Sequence, residues 1–283
     1  MERALRKYAP IFVLPTFAAF IIGFVLPFIQ GLYLSFCQFT TVNNAKWVGF
    51  DNYTRVFKDT AFLSSFWFTV AFAVVSVVSI NVLAFGLALL LTRRIKGTNF
   101  FRTVFFLPNL IGGIVLGYIW QILINSLLSM LEEPLLALNT TAGYWGLIVL
   151  MCWQQIGYMM IIYIAGLQNI SEDVLEAARV DGANSWKTLI KVKLPMVMSS
   201  ITVCVFLTLT NSFKLFDQNL ALTGGDPNHT TDMLALNIYQ TFYFRAGPQW
   251  KGLGQAKAVI FCILVVVISL VQLNATRKKE VQS

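Results

Sequence analysis

Six long apolar runs dominate this sequence of 283 residues. A helix needs roughly 20 apolar residues to cross about 30 Å of hydrocarbon, and each run is long enough. A composition that is 57% hydrophobic and 12% charged is also unlike that of a soluble globular chain. We therefore predict one all-α membrane domain over residues 1–283, with six transmembrane helices at about 10–36, 62–91, 104–124, 145–167, 196–215 and 256–273. The first run is too long for a cleavable signal peptide.

The basic residues are distributed unevenly between the two sets of connecting segments. One set consists of both chain ends and the segments at about 92–103 and 168–195. It holds 14 of the 21 basic residues and 6 of the 13 acidic ones, whereas the other set holds 7 of each. Because positively charged connections stay on the cytoplasmic side, both termini are predicted to be cytoplasmic. The basic isoelectric point then reflects topology and does not indicate nucleic-acid binding.

No pattern in the chain predicts catalysis, a metal site or a bound cofactor. The four cysteines are isolated in or beside apolar runs, and the single histidine, His229, lies in a polar loop without a second ligand. The phosphate-binding pattern G-x-x-x-x-G-K-[ST] is missing from the sequence, so the chain is not expected to hydrolyse ATP itself.

The polar segment at 168–195 predicts two short helices. Ser171 is a suitable N-cap, and Glu172 and Asp173 would lie at the positive end of the helix dipole. Gly182 can adopt the left-handed conformation that ends a helix. Asn184 or Ser185 could cap a second helix, Trp186 to Leu194, with lysines on one face.

The first of these helices would expose Ala177 and Ala178. A short helix with exposed alanines buries little surface alone, so it suits a groove on a partner. On composition alone, an ordinary connector at the membrane interface explains it equally well.

Three motifs give this chain its resemblance to a known family. Glu176-Ala-Ala-Arg-Val-Asp-Gly-Ala-Asn184 with Leu194-Pro195 resembles the EAA loop of permease subunits of binding-protein-dependent ABC importers. Trp47-Val-Gly-Phe-Asp-Asn-Tyr53 is similar to a segment of sugar-importer permeases, and Leu222-Thr-Gly-Gly-Asp-Pro227 to the LTGGGP loop of the larger maltose-type permease. Asp226 stands where that loop usually has a third glycine.

The resemblance implies the type I ABC importer permease fold in a bacterial cytoplasmic membrane. It also implies a heteromeric complex with a second, related permease, two ATPase subunits that carry ATP and Mg²⁺, and an extracytoplasmic solute-binding protein. By this resemblance the ATPase-coupling residues are Glu176, Ala177, Ala178, Asp181 and Gly182. The residues that face the binding protein are Thr223, Gly224, Gly225, Asp226 and Pro227.

Polar and aromatic side chains on two spans are candidates for the solute path, since polar groups at membrane depth tend to face a cavity or the bundle interior. They are Trp153, Gln155, Tyr158, Thr208, Asn211 and Ser212. Packing or interface anchoring explains the same residues about as well. Within the resemblance, Tyr158 matches a sugar-contacting tyrosine of the maltose-type permease, whereas Leu215 replaces an asparagine there.

An oligosaccharide is the solute that these features favour, because the predicted fourth span is neutral and aromatic. Glycerol 3-phosphate or another polar solute is the alternative, although an anion site would more naturally carry arginine or lysine. A membrane scaffold without transport activity is a more distant alternative, which leaves the loop motifs unexplained.

Overall fold

The computed structural model describes residue 11 and residues 13–93 and 96–277, which are helical over most of their length. The helices are α1 (Val13–Leu34, with a π turn at Ile21–Val25), α2 (Asp51–Lys58), α3 (Thr60–Leu91), α4 (Thr98–Phe106), α5 (Gly113–Met130), α6 (Thr140–Gln168), α7 (Glu172–Val180), α8 (Ser185–Met196), α9 (Met198–Phe213), α10 (Asp217–Leu222), α11 (Leu234–Tyr243) and α12 (Pro248–Arg277). A two-stranded antiparallel pair, β1 (Cys37–Gln38) and β2 (Lys46–Trp47), follows α1.

Five of these helices are long and apolar enough to cross a membrane within the described residues: α1, α3, α5, α6 and α12. A sixth candidate is the pair α8 and α9, which passes the same test only when both parts are taken together. The all-α class predicted from the apolar runs is confirmed. The prediction that both termini are cytoplasmic involves residues 1–10 and 278–283, which lie outside the described residues.

The predicted third span, 104–124, is displaced in the structure. Its first residues belong to α4 and to a 3₁₀ turn at Leu107–Leu110, and the long helix begins only at Gly113 and continues to Met130. Pro108 supplies no N–H to a helix, and Ile111 and Gly112 are extended, so the apolar run is broken in its middle. Hydropathy alone does not detect this break, because most residues around it are apolar.

The predicted fifth span, 196–215, also differs from the structure. The chain bends by 71° at Val197, between α8 and α9. Helix α9 has only 16 residues, and the residues before the bend, including Pro195, belong to α8. Helices α6 and α12 extend past both predicted ends, α3 begins two residues early, and α1 ends at Leu34, two residues before the predicted end. Helix α6 begins at Thr140, where the Asn139 side chain caps it by accepting a hydrogen bond from the Ala142 N–H at 3.0 Å.

The described residues up to Thr60 form one compact unit with Ile238–Cys262. Inside it the Asn52 amide donates to the carbonyl oxygens of Ser35 and Cys37, both at 2.9 Å. The fully buried Lys257 ammonium lies 2.8 Å from an Asp59 carboxylate oxygen and donates to the Thr241 hydroxyl at 2.8 Å. A buried cation is costly unless it is paired, so these contacts fix α2 and α11 against α12.

Residues Ala61–Asn237 form the second unit, together with the chain from Ile263 onward. Helix α6 lies at its centre, with 14 buried residues, and α4, α5, α9 and α10 all pack against it. Gly157 allows the closest approach, because a Cβ at this position would overlap the carbonyl oxygen of Phe105 in α4. The backbones of α4 and α6 therefore touch directly.

Hydrogen bonds between side chains join α3, α6 and α9 within this unit. The Tyr163 hydroxyl donates to Asn81 Oδ1 at 2.6 Å, and Asn81 Nδ2 donates to the Thr208 hydroxyl at 2.9 Å. Polar groups in hydrocarbon are stabilised when they bond to one another across helices. Asn81 therefore links three helices.

The glycines of the Gly113-x-x-x-Gly117 pattern in α5 lie against α10. A Cβ added to Gly117 would come within 2.5 Å of Ala221 Cβ, and one added to Gly113 within 2.8 Å of Asp217 Cβ. The close packing expected of this spacing is present, and its partner is the short helix α10.

We expect Gly157→Ala to destabilise the protein, because overpacking a tight contact costs about 1–3 kcal/mol. Gly86→Ala is the matched control: Gly86 also lies in a spanning helix, but a Cβ there meets nothing within 4 Å. The melting temperatures of the two variants are compared by thermal unfolding in detergent, which is monitored by size-exclusion chromatography. Equal melting temperatures for both variants would show that the α4–α6 contact yields easily.

Asp59→Asn should destabilise the first unit by about 2–3 kcal/mol, since it leaves Lys257 buried beside a neutral side chain. The expected cost is below the value for a fully buried pair because the Asp59 side chain keeps 16% exposure. The double variant Asp59→Asn with Lys257→Met removes both charges and should recover most of the loss in thermal unfolding. A double variant as unstable as the single one contradicts the ion-pair explanation.

Candidate functional site

The polar segment between α6 and α9 folds as two short helices separated by a tight turn. Ser171 occupies the N-cap position of α7, although its hydroxyl makes no capping bond. Gly182 has φ +74°, a conformation that strains other residues. The helix ends in a Schellman-type turn, in which the Ala183 N–H donates to the Ala178 carbonyl at 2.9 Å. The start and stop predicted for the first helix are confirmed.

Helix α8 begins at Ser185, one residue before the predicted start. The Asn184 side chain caps it, accepting a hydrogen bond from the Lys187 N–H at 2.8 Å. The helix then continues without a break through a π turn at Leu189–Lys193 to Met196. It is therefore longer than the predicted Trp186–Leu194 helix, and it leads directly into the bend at Val197.

The five residues predicted to couple to an ATPase form one protruding surface. Glu176, Ala177, Asp181 and Gly182 are exposed, and Ala178 is half-buried. Leu175, partly buried like Ala178, packs against the hydrophobic core. A rigid helix thus presents a carboxylate and small side chains outward from a fixed base.

Sequence reasoning missed one residue of this surface. Val180, at the end of α7, is 86% exposed, the most open large apolar side chain of the described residues. Its position directly before the Asp181-Gly182 turn is the sequence feature that could have indicated it. An exposed apolar side chain beside small residues suits insertion into a groove of another protein.

The predicted docking loop, residues 223–227, is a compact turn that is stabilised by hydrogen bonds from Asn219. The Asn219 amide donates to the Thr223 hydroxyl and to the Thr231 carbonyl, both at 2.9 Å, and its oxygen accepts from the Met233 N–H at 3.0 Å. Asn219 is fully buried. It is a residue that sequence reasoning did not select, although an asparagine four residues before a Thr-Gly-Gly turn could have indicated it.

The substitution of Asp226 for a third glycine leaves the turn intact. Gly224 and Gly225 take the left-handed conformations, with φ of +61° and +95°, whereas Asp226 does not have a positive φ. Its N–H donates to the Thr223 carbonyl at 3.0 Å, and its side chain is exposed. The loop therefore presents an extra carboxylate.

His229 lies beside this loop on the surface, as expected. Its side chain is 66% exposed, and Nδ1 lies 3.1 Å from a carboxylate oxygen of the buried Asp232. This contact orients the imidazole ring along the loop.

The six candidate residues of the solute path do not converge on one cavity. Gln155 and Asn211 meet, with the Asn211 amide donating to Gln155 Oε1 at 3.3 Å, and both are partly exposed. Tyr158, also partly exposed, lies one helical turn from Gln155. Trp153 is 44% exposed and contacts the edge of Trp120, at 5.7 Å between ring centroids.

The other two candidates, Thr208 and Ser212, are fully buried. The Thr208 hydroxyl bonds Asn81 and the Cys204 carbonyl, and the Ser212 hydroxyl donates to the Thr208 carbonyl at 2.7 Å. The Thr208 hydroxyl therefore links α9 to α3, whereas the Ser212 hydroxyl bonds only the backbone of its own helix. A solute role for these six residues stays a prediction, and Gln155, Tyr158 and Asn211 are the ones placed together.

Comparisons with known proteins identify the family. Residues 96–280 match the family model described as "Binding-protein-dependent transport system inner membrane component". Over 279 residues the chain is 44% identical to a protein of Thermoanaerobacterium thermosulfurigenes described as a probable starch degradation products transport system permease, covering 96% of this chain and 94% of that one. It is 32% identical to the multiple sugar-binding transport system permease of Streptococcus mutans, covering 92% of each.

The fold has a counterpart among solved structures. A chain of a bacterial ABC transporter involved in the import of the acidic polysaccharide alginate superposes with a TM-score of 0.83, at 21% identity and 98% coverage of both chains. The family match spans more than half of the chain, and it includes α7, α8, the turn at 223–227, the 3₁₀ turn at Leu107–Leu110 and the bend at Val197. The chain therefore belongs to the family of inner membrane components of binding-protein-dependent transport systems.

Proposed function

We propose that this chain is the permease subunit of an ATP-driven importer for oligosaccharides. The observation that carries the proposal is the 44% identity, over nearly the whole chain, to a permease described for starch degradation products. A separate ATPase, a second permease and a solute-binding protein would complete the assembly. The exposed loops described above supply a contact surface for each kind of soluble partner.

Helix α7 is the proposed contact with the ATPase. Its outer surface carries Glu176 and the exposed Val180, and Leu175 fixes its inner face to the core. From α7 the chain passes through the Gly182 turn into α8. Val197, at the bend, is hydrogen-bonded to both helices: its N–H donates to the Lys193 carbonyl of α8, and its carbonyl accepts from the Ile201 N–H of α9, both at 3.0 Å. A displacement of α7 is thereby passed to the span that carries Asn211.

ATP drives such a change only if it binds the two states of the ATPase with different affinity. In the proposed cycle, ATP draws the ATPase subunits together, and α7 follows them. The solute path then opens toward the binding protein, which docks on the turn at 223–227. Hydrolysis returns the path to the cytoplasmic side.

A neutral solute fits the two spans that carry the candidate path. Helices α6 and α9 contain no charged residue, whereas an anion site would be expected to contain arginine or lysine. Gln155, Asn211 and Tyr158 offer amide and hydroxyl groups for sugar hydroxyls, and an aromatic ring for a sugar's C–H face. Glycerol 3-phosphate is for this reason the less suitable solute.

Uptake by a deletion strain and its complemented parent tests the solute class. We expect loss of uptake for one class of labelled oligosaccharide, restored by the complementing gene, with unchanged uptake of labelled glycerol 3-phosphate. The opposite result would assign the alternative solute. Unchanged uptake of every solute would favour the scaffold function.

Glu176→Lys should lower oligosaccharide uptake by more than about tenfold, because losing one partner of a charge-assisted contact at an interface costs about 2–5 kcal/mol. The solute-stimulated ATPase activity of the purified complex should fall in parallel. Glu133→Lys makes the same charge change on an exposed residue of the connection between α5 and α6, and should leave both activities unchanged. Full activity in Glu176→Lys would contradict the role given to α7.

A further inference from the structure

A basic cleft lies between the end of α3 and the two short helices α7 and α8. Its volume is about 440 Å³, within the range of small-molecule sites. Its lining includes Arg93, Arg179, Ser185, Trp186, Thr188 and Lys193. All of them belong to the second unit, and none is among the residues proposed to contact the ATPase.

The charges in the cleft have one sign. Arg93, Arg179 and Lys193 contribute three cations, and no acidic residue lines it. None of the three forms an ion pair with another residue of the described part of the chain. Three cations around one cavity repel one another, and an anion placed between them relieves that repulsion. The guanidinium groups can also bind phosphate oxygens in pairs.

The rim of the cleft is apolar and lies at a membrane boundary. Leu89 belongs to the last turn of α3, a helix of 32 residues that is long enough to cross the bilayer, and Arg93 follows directly after it. Trp186 is 67% exposed at the other side, with Leu189 one turn further along α8. Tryptophan beside basic residues is typical of the interfacial region, where lipid headgroups lie.

We propose that this cleft binds the phosphate of an anionic phospholipid from the adjacent leaflet. The cations would hold the phosphate, the Ser185 and Thr188 side chains lie beside the headgroup position, and Leu89, Leu189 and Trp186 would contact the glycerol and the first acyl carbons. A free phosphate ion would use the cations but not the apolar rim. An acidic side chain of an ATPase would more naturally meet the outward surface of α7.

A lipid in this position would affect coupling. The cleft connects the end of a membrane span to both helices of the coupling segment, so a bound headgroup would hold α7 and α8 at a fixed distance from α3. The cytoplasmic location of the leaflet rests on the proposed function, because it follows from the orientation expected for an importer. Lipid binding itself does not depend on which solute is carried.

The experiment is native mass spectrometry of the complex purified through a tag on this chain, titrated with phosphatidylglycerol or phosphatidylcholine. Each cation near an anionic lipid contributes roughly fivefold in affinity, so Arg93→Gln with Lys193→Gln should weaken phosphatidylglycerol binding by about 25-fold. Lys187→Gln with Lys191→Gln is the matched control: it removes two exposed cations of α8 that do not line the cleft. This control should bind as the parent does.

Four results would overturn the proposal: equal binding of both lipids, equal weakening by both double variants, displacement of the lipid by excess inorganic phosphate, or loss of the ATPase subunit with lipid binding retained. The last two would assign the cleft to a free anion or to the ATPase.

A second measurement uses the unaltered sequence as its reference. Acyl-brominated phosphatidylglycerol should quench more tryptophan fluorescence in the parent protein than in Trp186→Phe. Brominated phosphatidylcholine should quench the fluorescence of both proteins equally. Equal quenching of the two proteins by brominated phosphatidylglycerol would contradict the proposal. Oligosaccharide uptake, measured separately, reports on the importer function alone.

Discussion

The direct contact between the backbones of α4 and α6 at Gly157 determines how the second unit is built. No side chain separates α4 from α6 at this point, and the chain leaves the contact through the 3₁₀ turn at Leu107–Leu110 before α5 begins. Helices α5 and α10 pack together through Gly113 and Gly117, and α10 also rests on α6. Each later contact is therefore positioned by the first one. Within hydrocarbon, where helices gain little from burying apolar surface, such close van der Waals packing is a main source of association.

The sequence predicted the class of fold and the number of apolar runs, but it did not predict their breaks. Apolar length is a strong signal, and the runs predicted for α1, α3, α6 and α12 each overlap an observed spanning helix over most of their length. Pro108 and Val197 interrupt two other runs through local backbone geometry, which hydropathy does not measure. Pro108 and Pro195 stand close to these breaks, but proline is also tolerated within membrane helices, so it does not by itself locate a bend.

Local capping signals were the best predictors within the candidate site. The structure places helix ends at Ser171, Gly182 and Asn184. Gly182 and Asn184 act through neighbours only a few residues away, whereas Ser171 occupies the N-cap position without a side-chain bond. The solute path depends on contacts between distant helices, which one sequence does not specify. Thr208 shows the difference: its polarity suggested a cavity, whereas its hydroxyl is bound to Asn81, 127 residues away. Asn219 was missed for a related reason: its hydrogen-bond partners come close to it only when the loop has folded.

The bend at Val197 has a mechanical consequence for any motion of α7 and α8. Helices α8 and α9 meet at 71°, close to a right angle, and remain hydrogen-bonded through the joint. A push along the axis of α8 is then directed mainly across α9 and only slightly along it. In the proposed cycle, this geometry would convert a sliding movement of α8 into a tilt of α9, and the tilt would change the width of the proposed path beside Asn211.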